Sequence, residues 1–410
     1  MQIKKRVLVF THGIPHPHRG ASSVLFFWYI NALKTAGHSI VHLVLDTQRT
    51  GADQELRDYT DAIETGPDFR VVREVLPVYQ AFSYWNFSIE PMFPPARTVA
   101  DIERFDPDAT VCFDIVAAAV AKKLGWPNLL IWLGDLAYQT GLYHALYDVV
   151  SNPVKVFRLP RVLLNCAVWK RFYRNTLKGQ ANVIVASNSS EDLMAAIGVS
   201  AKYLPYPWPG ADPEREHQGK YTMPTFIMFG TLGALGSKSA FYFLLKKVYP
   251  ILVAHWGENG FQILIAGSRE MPKWVKEALG VCPAIKFLGF VDDLAALVDQ
   301  CHAVLAPISV PVGNRSRIVT AMSMSSVVIA HKNTALGNPE LVSGKNCFLA
   351  ESAKDYAGYM RRAFESPAEA EKIGRAARLK YLKTFEPGVA SQLLLRSLDL
   401  ERPSGLSSFS

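Results

Sequence analysis

Short, continuous apolar runs alternate along this chain with stretches that carry apolar residues every three to four positions. That is the pattern of parallel strands buried on both faces and of the helices that cover them. The first run, Arg6–Phe10, is ended by the turn Thr-His-Gly-Ile-Pro. Ser22–Ala36 follows with helical spacing through Val24, Leu25, Trp28 and Leu33, and Gly37 closes it as the residue past the C-cap. Strand-like runs return at Ile40–Leu45, Val71–Leu76, Ala109–Phe113, Leu129–Leu133 and Val183–Ala186. A second series begins at Phe226–Phe229 and continues through Gln262–Ala266, Ile285–Leu288, Ala303–Ala306 and Val327–Ala330, with helices such as Phe241–Ala254 and Leu294–Gln300 between them. Between the series, Tyr206–Pro224 is rich in Pro, Gly and charge and keeps neither period.

The pattern predicts an α/β fold of two Rossmann-like, doubly wound domains facing across a cleft, where ligands of open α/β sheets sit beyond the carboxyl ends of the strands. The expected boundaries are 1–205, a linker at 206–224, a second domain at 225–385, a C-terminal helix at 386–400 returning to the first domain, and a disordered tail at 401–410. Helices are expected after Ser366, broken at Glu386–Gly388.

Composition narrows the partners only a little. The 410 residues include 44 basic and 36 acidic side chains, for a net charge of +8, which favours anionic ligands without naming one. The basic residues are dispersed and no nucleic-acid recognition motif appears, so nucleic acid is not an expected partner. Cys112, Cys166, Cys282, Cys301 and Cys347 are odd in number and lack C-x-x-C spacing, which supports neither a disulfide framework nor a zinc site and fits a reducing cytoplasm. The apolar run after Lys4, Lys5 and Arg6 is too short for a signal peptide, and no stretch is long enough to span a bilayer.

The segment Pro307–Ala330 carries the most chemistry. An apolar strand end leads into a loop with Gly313, Asn314 as the expected N-cap, and Arg315 and Arg317 in the first helical turn. Cations there are disfavoured by the helix dipole by about 0.3–1 kcal/mol each, whereas an anion bound between them reverses that sign. Taken one at a time, either arginine also fits as a solvated side chain. Asp135, in WLGDL just past a strand, is placed to orient an acceptor hydroxyl or act as a base, or simply to cap the following helix. His12, His16 and His18 crowd one loop without zinc spacing, which favours a polar loop touching acceptor or phosphate. Lys155–Lys178 interleaves Lys and Arg with Phe, Leu, Trp and Tyr. It reads as a helix with a basic solvent face interrupted at Pro160, or as a peripheral contact with an anionic membrane.

Several of these segments resemble the GT-B glycosyltransferases of family 4. THGIPHPHRGASSVLFFWYINALKTAGHSI is similar to the family's opening strand, Gly-rich loop and first helix, and ANVIVASNSSEDLMAAIGV to the strand-Ser-helix segment before the linker. TFIMFGTLG, FQILIAGS, IKFLGFVDDLAALVDQCHAVLAPIS and VGNRSRIVTAM follow the order of its donor-domain segments. The resemblance implies an acceptor-side first domain, a second domain binding a nucleotide-sugar donor, no further cofactor and no metal. It also implies a glycan or lipid-linked acceptor and retention of configuration, while the cysteines favour a cytoplasmic location and the Lys155–Lys178 segment would, if it met a membrane, place the enzyme at its inner face. On this resemblance Arg315 and Arg317 stabilise the leaving phosphate and Gly20 and Gly230 let backbone approach the diphosphate; Lys238 either assists from a facing loop or is a solvated lysine near a helix start. Gly289, Phe290 and Val291 contact the base or are a packed strand end, Gly313 and Asn314 open the helix over the phosphates, and Glu340 lies beneath the donor or is a helix-start carboxylate. The chain departs from the family pattern at Thr320, where a ribose-binding glutamate is usual, at Thr231, where many members carry an arginine, and at Ser325, where glycine is common. Those departures keep a second reading open, a catalytically impaired binding partner of another transferase. An epimerase on the same scaffold would need paired carboxylates that the sequence does not offer.

Overall fold

In the computed structural model the described residues are 4–18, 20, 22–47, 51–76, 88–212, 219–267, 270–311, 313 and 315–399. They form two compact units, one drawn from 1–138, 160–209 and 387–410, the other from 139–159 and 210–386.

The first unit is built on a seven-stranded parallel sheet, β1 (Arg6–His12), β2 (Ser39–Thr47), β3 (Phe69–Leu76), β4 (Ala109–Phe113), β5 (Leu129–Leu133), β6 (Asn182–Val185) and β7 (Lys202–Tyr203), in the order β3-β2-β1-β4-β5-β6-β7. The central strands are buried on both faces: Val7–Phe10, Val111, Cys112 and Phe113 have no exposed surface. Their β-branched and aromatic side chains therefore read as unbroken apolar runs. The sheet winds outward in both directions from the pair β1–β4, joined in parallel register from Val7↔Ala109 to Thr11↔Phe113. That pair is the topological switch point. Helix Ser22–Thr35 packs against helix Pro387–Asp399, which brings the C-terminal helix into this unit.

The second unit repeats the plan with six parallel strands, β8 (Thr225–Phe229), β9 (Gln262–Ala266), β10 (Ile285–Gly289), β11 (Ala303–Ala306), β12 (Val328–His331) and β13 (Phe348–Ala350), ordered β10-β9-β8-β11-β12-β13. Its switch point is the pair β8–β11. Phe226, Phe241, Phe261, Phe348 and Tyr356 fill the core around them.

Three expectations change on the structure. The helix expected over Phe241–Ala254 is three pieces: Leu235–Phe243, a wide turn at Leu244–Val248, and Tyr249–Trp256 with Pro250 in its first turn. Pro250 has no N–H to continue the regular ladder, and the backbone widens just before it. Pro160 does not interrupt its segment: it is the second residue of a continuous helix, Leu159–Leu177, where the missing N–H would have had no intrahelical partner. Finally, Gln139–Leu159 belongs to the second unit. Gln139 donates to the Pro311 carbonyl (3.0 Å), Tyr147 shares a 2.8 Å hydrogen bond with Ser309, and Asp148 lies 3.7 Å from Lys238. The expected helix break near Glu386–Gly388 appears between helices Pro367–Thr384 and Pro387–Asp399, while the tail 401–410 and linker residues 213–218 lie outside the described residues.

Candidate active site

At the switch point of the second sheet, β8 and β11 each release the chain into a loop and a helix start. Beyond β8 the backbone turns at Gly230, whose φ of 113° suits glycine, and enters helix Leu235–Phe243. Beyond β11 it passes Gly313 and enters helix Ser316–Ser323. Neither helix has a side-chain cap on its first turn, unlike helices Ile115–Lys123 and Ala353–Glu365, which Asp114 and Ser352 cap. Two helix starts with the positive ends of their dipoles at one sheet edge form a setting for an anion.

Arg317 spans this edge. Its Nη2 donates to the Ser237 hydroxyl (3.1 Å), which in turn donates to the Thr231 carbonyl (2.6 Å). The guanidinium lies over Gly230 so closely that a Cβ there would sit 3.2 Å from Nη2. A guanidinium thus covers the turn at which Thr231 supplies none. No carboxylate pairs with Arg317 among the described residues. Burial, and then the charge of Arg315, lower its pKa to about 10. A cation held at such a disadvantage has a standing preference for an anion.

Arg315 takes a different place. It is 7% exposed, its Nη2 donates to the Val310 carbonyl (2.7 Å), and it occupies the N-cap position. Helix Ser316–Ser323 therefore starts one residue later than the cap expected at Asn314, a residue that lies outside the described ones. Arg315 braces the loop from inside, and Arg317 alone of the two falls within the first turn. Thr320 is one turn further on, its hydroxyl donating to the Ser316 carbonyl (3.0 Å). Lys238 is in the first turn of the opposite helix, beside Ser237, with Asp148 3.7 Å from its Nζ. Gly289 ends β10, its carbonyl accepting from Gly267 N–H (2.8 Å), and Phe290 beyond it is 58% exposed, with Val291 half-buried next to it. Glu340 stands apart in the loop after Leu336, where its carbonyl accepts from Asn346 (2.9 Å).

The first unit places two candidates at its own sheet edge: Gly20, exposed in a bend with φ 79°, and Asp135, exposed just past β5. Its switch point holds a pair that periodicity does not reveal. His12, the last residue of β1, and Asp114, the first past β4, meet at 2.5 Å between Nδ1 and Oδ2. The other carboxylate oxygen accepts from Val116 N–H (2.7 Å) and Ala117 N–H (2.8 Å), capping helix Ile115–Lys123. Asp114 has φ 124°, a conformation costing a non-glycine residue about 1–3 kcal/mol. His12 Nε2 is buried and without a partner among the described residues, which costs about 1–3 kcal/mol more. Burial lowers the His12 pKa, but the charge and hydrogen bond of Asp114 outweigh it and leave the imidazole raised. The sequence signal for Asp114 was present: an aspartate before an apolar helical run reads as an N-cap. Its histidine partner emerges only from the pairing of β1 with β4.

Residues 224–366 match the family described as Glycosyl transferases group 1. The matched stretch lies within the second unit. The whole chain has the GT-B fold, and it is a glycosyltransferase. Among solved structures, HepE of Anabaena in complex with UDP and glucose superposes with a TM-score of 0.64 over 96% of this glycosyltransferase and 99% of its own chain, at 16% identity. Sucrose-phosphate synthase of Thermosynechococcus elongatus gives 0.66 over 97% and 100%, at 15% identity. WaaG, described as a glycosyltransferase involved in lipopolysaccharide biosynthesis, gives 0.59 over 97% and 100%, at 13% identity. No curated protein matches the glycosyltransferase by sequence. Among its described residues, no helix is long and apolar enough to cross a membrane, and no group of three or more His, Cys, Asp or Glu is placed to hold a metal ion.

Proposed function

We propose that the enzyme takes a sugar from a nucleoside diphosphate sugar, with a uridine nucleotide the first to test, and moves it to a glycoconjugate or lipid-linked glycan. The observation that carries this is Arg317, a half-buried cation without a carboxylate partner among the described residues, laid over Gly230 between two helix starts that lack side-chain caps. HepE, of the same fold, is described with UDP and glucose bound.

When the bond between the anomeric carbon and the diphosphate breaks, negative charge grows on the leaving phosphate. A guanidinium and helix N–H groups already aimed at that place bind the growing charge more strongly than the ground state. In this reading Arg317, Gly230, Gly313 and the first turn of Ser316–Ser323 hold the diphosphate without a metal, and Arg315 keeps their loop in shape. Lys238 leaves Asp148 to join them when donor is bound. Gly289, Phe290 and Val291 border the base, Thr320 takes the ribose side with a hydroxyl where a carboxylate is usual, and Glu340 supports the loop beneath. In the first unit, Gly20 and Asp135 serve the acceptor. Retention of configuration rests on the family resemblance alone.

A cytoplasmic enzyme with a peripheral membrane contact fits the stretch 153–178. Its first part exposes Val154 (72%) and Phe157 (84%) beside Lys155 and Arg158, and its second part exposes Leu163 and Leu164 near Arg161. Sedimentation with anionic vesicles at moderate salt is expected, and full recovery in the supernatant would remove the membrane contact. For the main reading, calorimetry with UDP, GDP and ADP and their glucose conjugates is expected to show micromolar binding of one nucleotide, with slow release of it from the sugar conjugate. Absence of binding by every nucleotide would overturn it.

A further inference from the structure

Resting on the donor reading, we propose that Asp148 is a resident counter-ion for Lys238 which the diphosphate of the donor displaces, so that this carboxylate sets how tightly the enzyme holds nucleoside diphosphates. Every residue involved belongs to the second unit. Asp148 Oδ1 lies 3.7 Å from Lys238 Nζ, and its Oδ2 lies 3.3 Å from Lys155 Nζ. Both side chains of the first pair reach solvent, Lys238 being 33% and Asp148 42% exposed, so an incoming anion can take the lysine.

Each partner sits at the end of its helix where its charge is disfavoured. Lys238 is in the first turn of Leu235–Phe243, at the positive end of the dipole, and Asp148 is in the last turn of Ala137–Ser151, at the negative end. Neither helix favours the charge it carries. In the free protein the two offset each other, with Lys155 beside them. A diphosphate offers Lys238 more, with several negative charges in place of one and acceptors for the uncapped N–H groups of the same helix start. The exchange favours the ligand, by less than if Lys238 stood without a partner.

The helix that carries Asp148 is anchored on both sides of its middle. Gln139 donates to the Pro311 carbonyl and Tyr147 shares its hydrogen bond with Ser309, at points about 12 Å apart along the helix. Tyr147 also meets Tyr242 edge to face, with 6.4 Å between ring centres, one turn beyond Lys238 on the facing helix. The loop they grip is itself held, since the Ser309 carbonyl accepts from Asn333 (2.6 Å) and the Val310 carbonyl from Arg315. Asp148 is thus a fixed charge beside Lys238, whose neighbour Ser237 holds Arg317. His144 lies one turn before Asp148. Burial, and then the charge of Lys238, lower its pKa against the pull of Asp148, so it is neutral at neutral pH. Lys155 and Lys238 then face a single carboxylate, and the cluster keeps a positive charge for a ligand. The same carboxylate acts after transfer: donor and product share the diphosphate, and a lysine with its counter-ion at hand releases the nucleotide sooner.

A carboxylate that only fastened Lys155 to the helix end would leave nucleotide binding alone when made neutral, and one that supported the donor site would weaken it. Displacement predicts the opposite sign. Titration calorimetry on the full-length protein uses UDP, or whichever of GDP and ADP binds, with inorganic pyrophosphate as a second probe. Asp148→Asn is expected to bind each probe roughly three- to tenfold more tightly than the parent, through release of a partly exposed ion pair and removal of a repulsion. Asp148→Ser, which removes the charge without an amide, is expected to match it. Lys238→Met is expected to weaken binding, and adding Asp148→Asn to it to change affinity by less than about twofold. Unchanged or weaker binding in Asp148→Asn overturns the proposal, and so does an equal gain with and without Lys238, which would mark a general effect of net charge. If pyrophosphate shows the pattern and no nucleotide binds, displacement stands and the nucleotide reading falls. If the parent binds neither probe, both fall.

Discussion

Replacing Arg317 by Met sets two quantities moving in opposite directions. In the free protein the side chain is held charged although burial and Arg315 lower its pKa from 12.5 to about 10. The difference of 2.5, at about 1.36 kcal/mol for each pH unit, makes that charge a liability of roughly 3 kcal/mol at pH 7, an upper bound because the side chain keeps some contact with solvent. Met has a similar apolar body and no charge, so the second unit is expected to melt at the same or a higher temperature, the lost bond to Ser237 offsetting about 1 kcal/mol. Binding is expected to go the other way. A charge-assisted hydrogen bond to phosphate contributes about 1.5–3 kcal/mol, so the UDP dissociation constant should rise roughly 10- to 150-fold. Scanning calorimetry gives the first quantity and titration calorimetry with UDP the second, at low and moderate salt. An unchanged dissociation constant in a protein of unchanged melting temperature would refute the assignment. So would a melting temperature that drops by several degrees while affinity falls in parallel, since Arg317 would then be holding the fold together.

Gly230→Ala adds a Cβ 3.2 Å from Arg317 Nη2 at a backbone φ of 113°, and is expected to cost about 1–3 kcal/mol of stability and to weaken UDP binding; thermal and binding assays matching the parent would contradict the geometry. Ser325 has φ 58°, so Ser325→Gly is expected to stabilise by about 0.5–1 kcal/mol after the added flexibility of the unfolded chain is counted, and a lower melting temperature would count against it. His42 is buried between Thr11 (2.9 Å) and Tyr59 (2.8 Å), and burial pulls its pKa down to about 3. Its contribution is whole above pH 6.5, where the unfolded chain is neutral too, and is lost at about 1.4 kcal/mol per pH unit as pH falls from 6.5 toward 3. Melting temperatures measured from pH 7 to pH 4 should decline more steeply in the parent than in His42→Gln, and equal slopes would show that His42 is not the group responsible.

What could be read along the chain follows from the range of each signal. Strands such as β5, β8, β9 and β11 lie within a residue of the apolar runs because each is buried on both faces and its pattern is local. The place of Arg317 in a first helical turn was legible for the same reason: a strand, a glycine and a helix start follow one another directly. Ser237, His12 with Asp114, and the membership of Gln139–Leu159 were not. The order of strands decides which loops meet, and periodicity says nothing of order; β1 neighbours β4, and β8 neighbours β11, across about a hundred and eighty residues of chain in total. A helix's apolar stripe likewise says that it packs, not on which sheet, which is why Tyr147 and Asp148 read as belonging to the first half. Pro160 misled because a proline breaks a helix only past its first turn, and the turn boundary was set by Asn152–Arg158 upstream. Ser325 shows the reverse: a residue that looked like a departure in ligand binding occupies a left-handed turn, so its first consequence is for the backbone.

The most direct measurement is the structure of the full chain crystallised with UDP. The expected result is a diphosphate within about 3 Å of the Arg317 guanidinium and of the backbone N–H groups past Gly230 and Gly313, with Lys238 drawn away from Asp148. Nucleotide bound elsewhere, with Arg317 still engaged only by Ser237, would contradict the account.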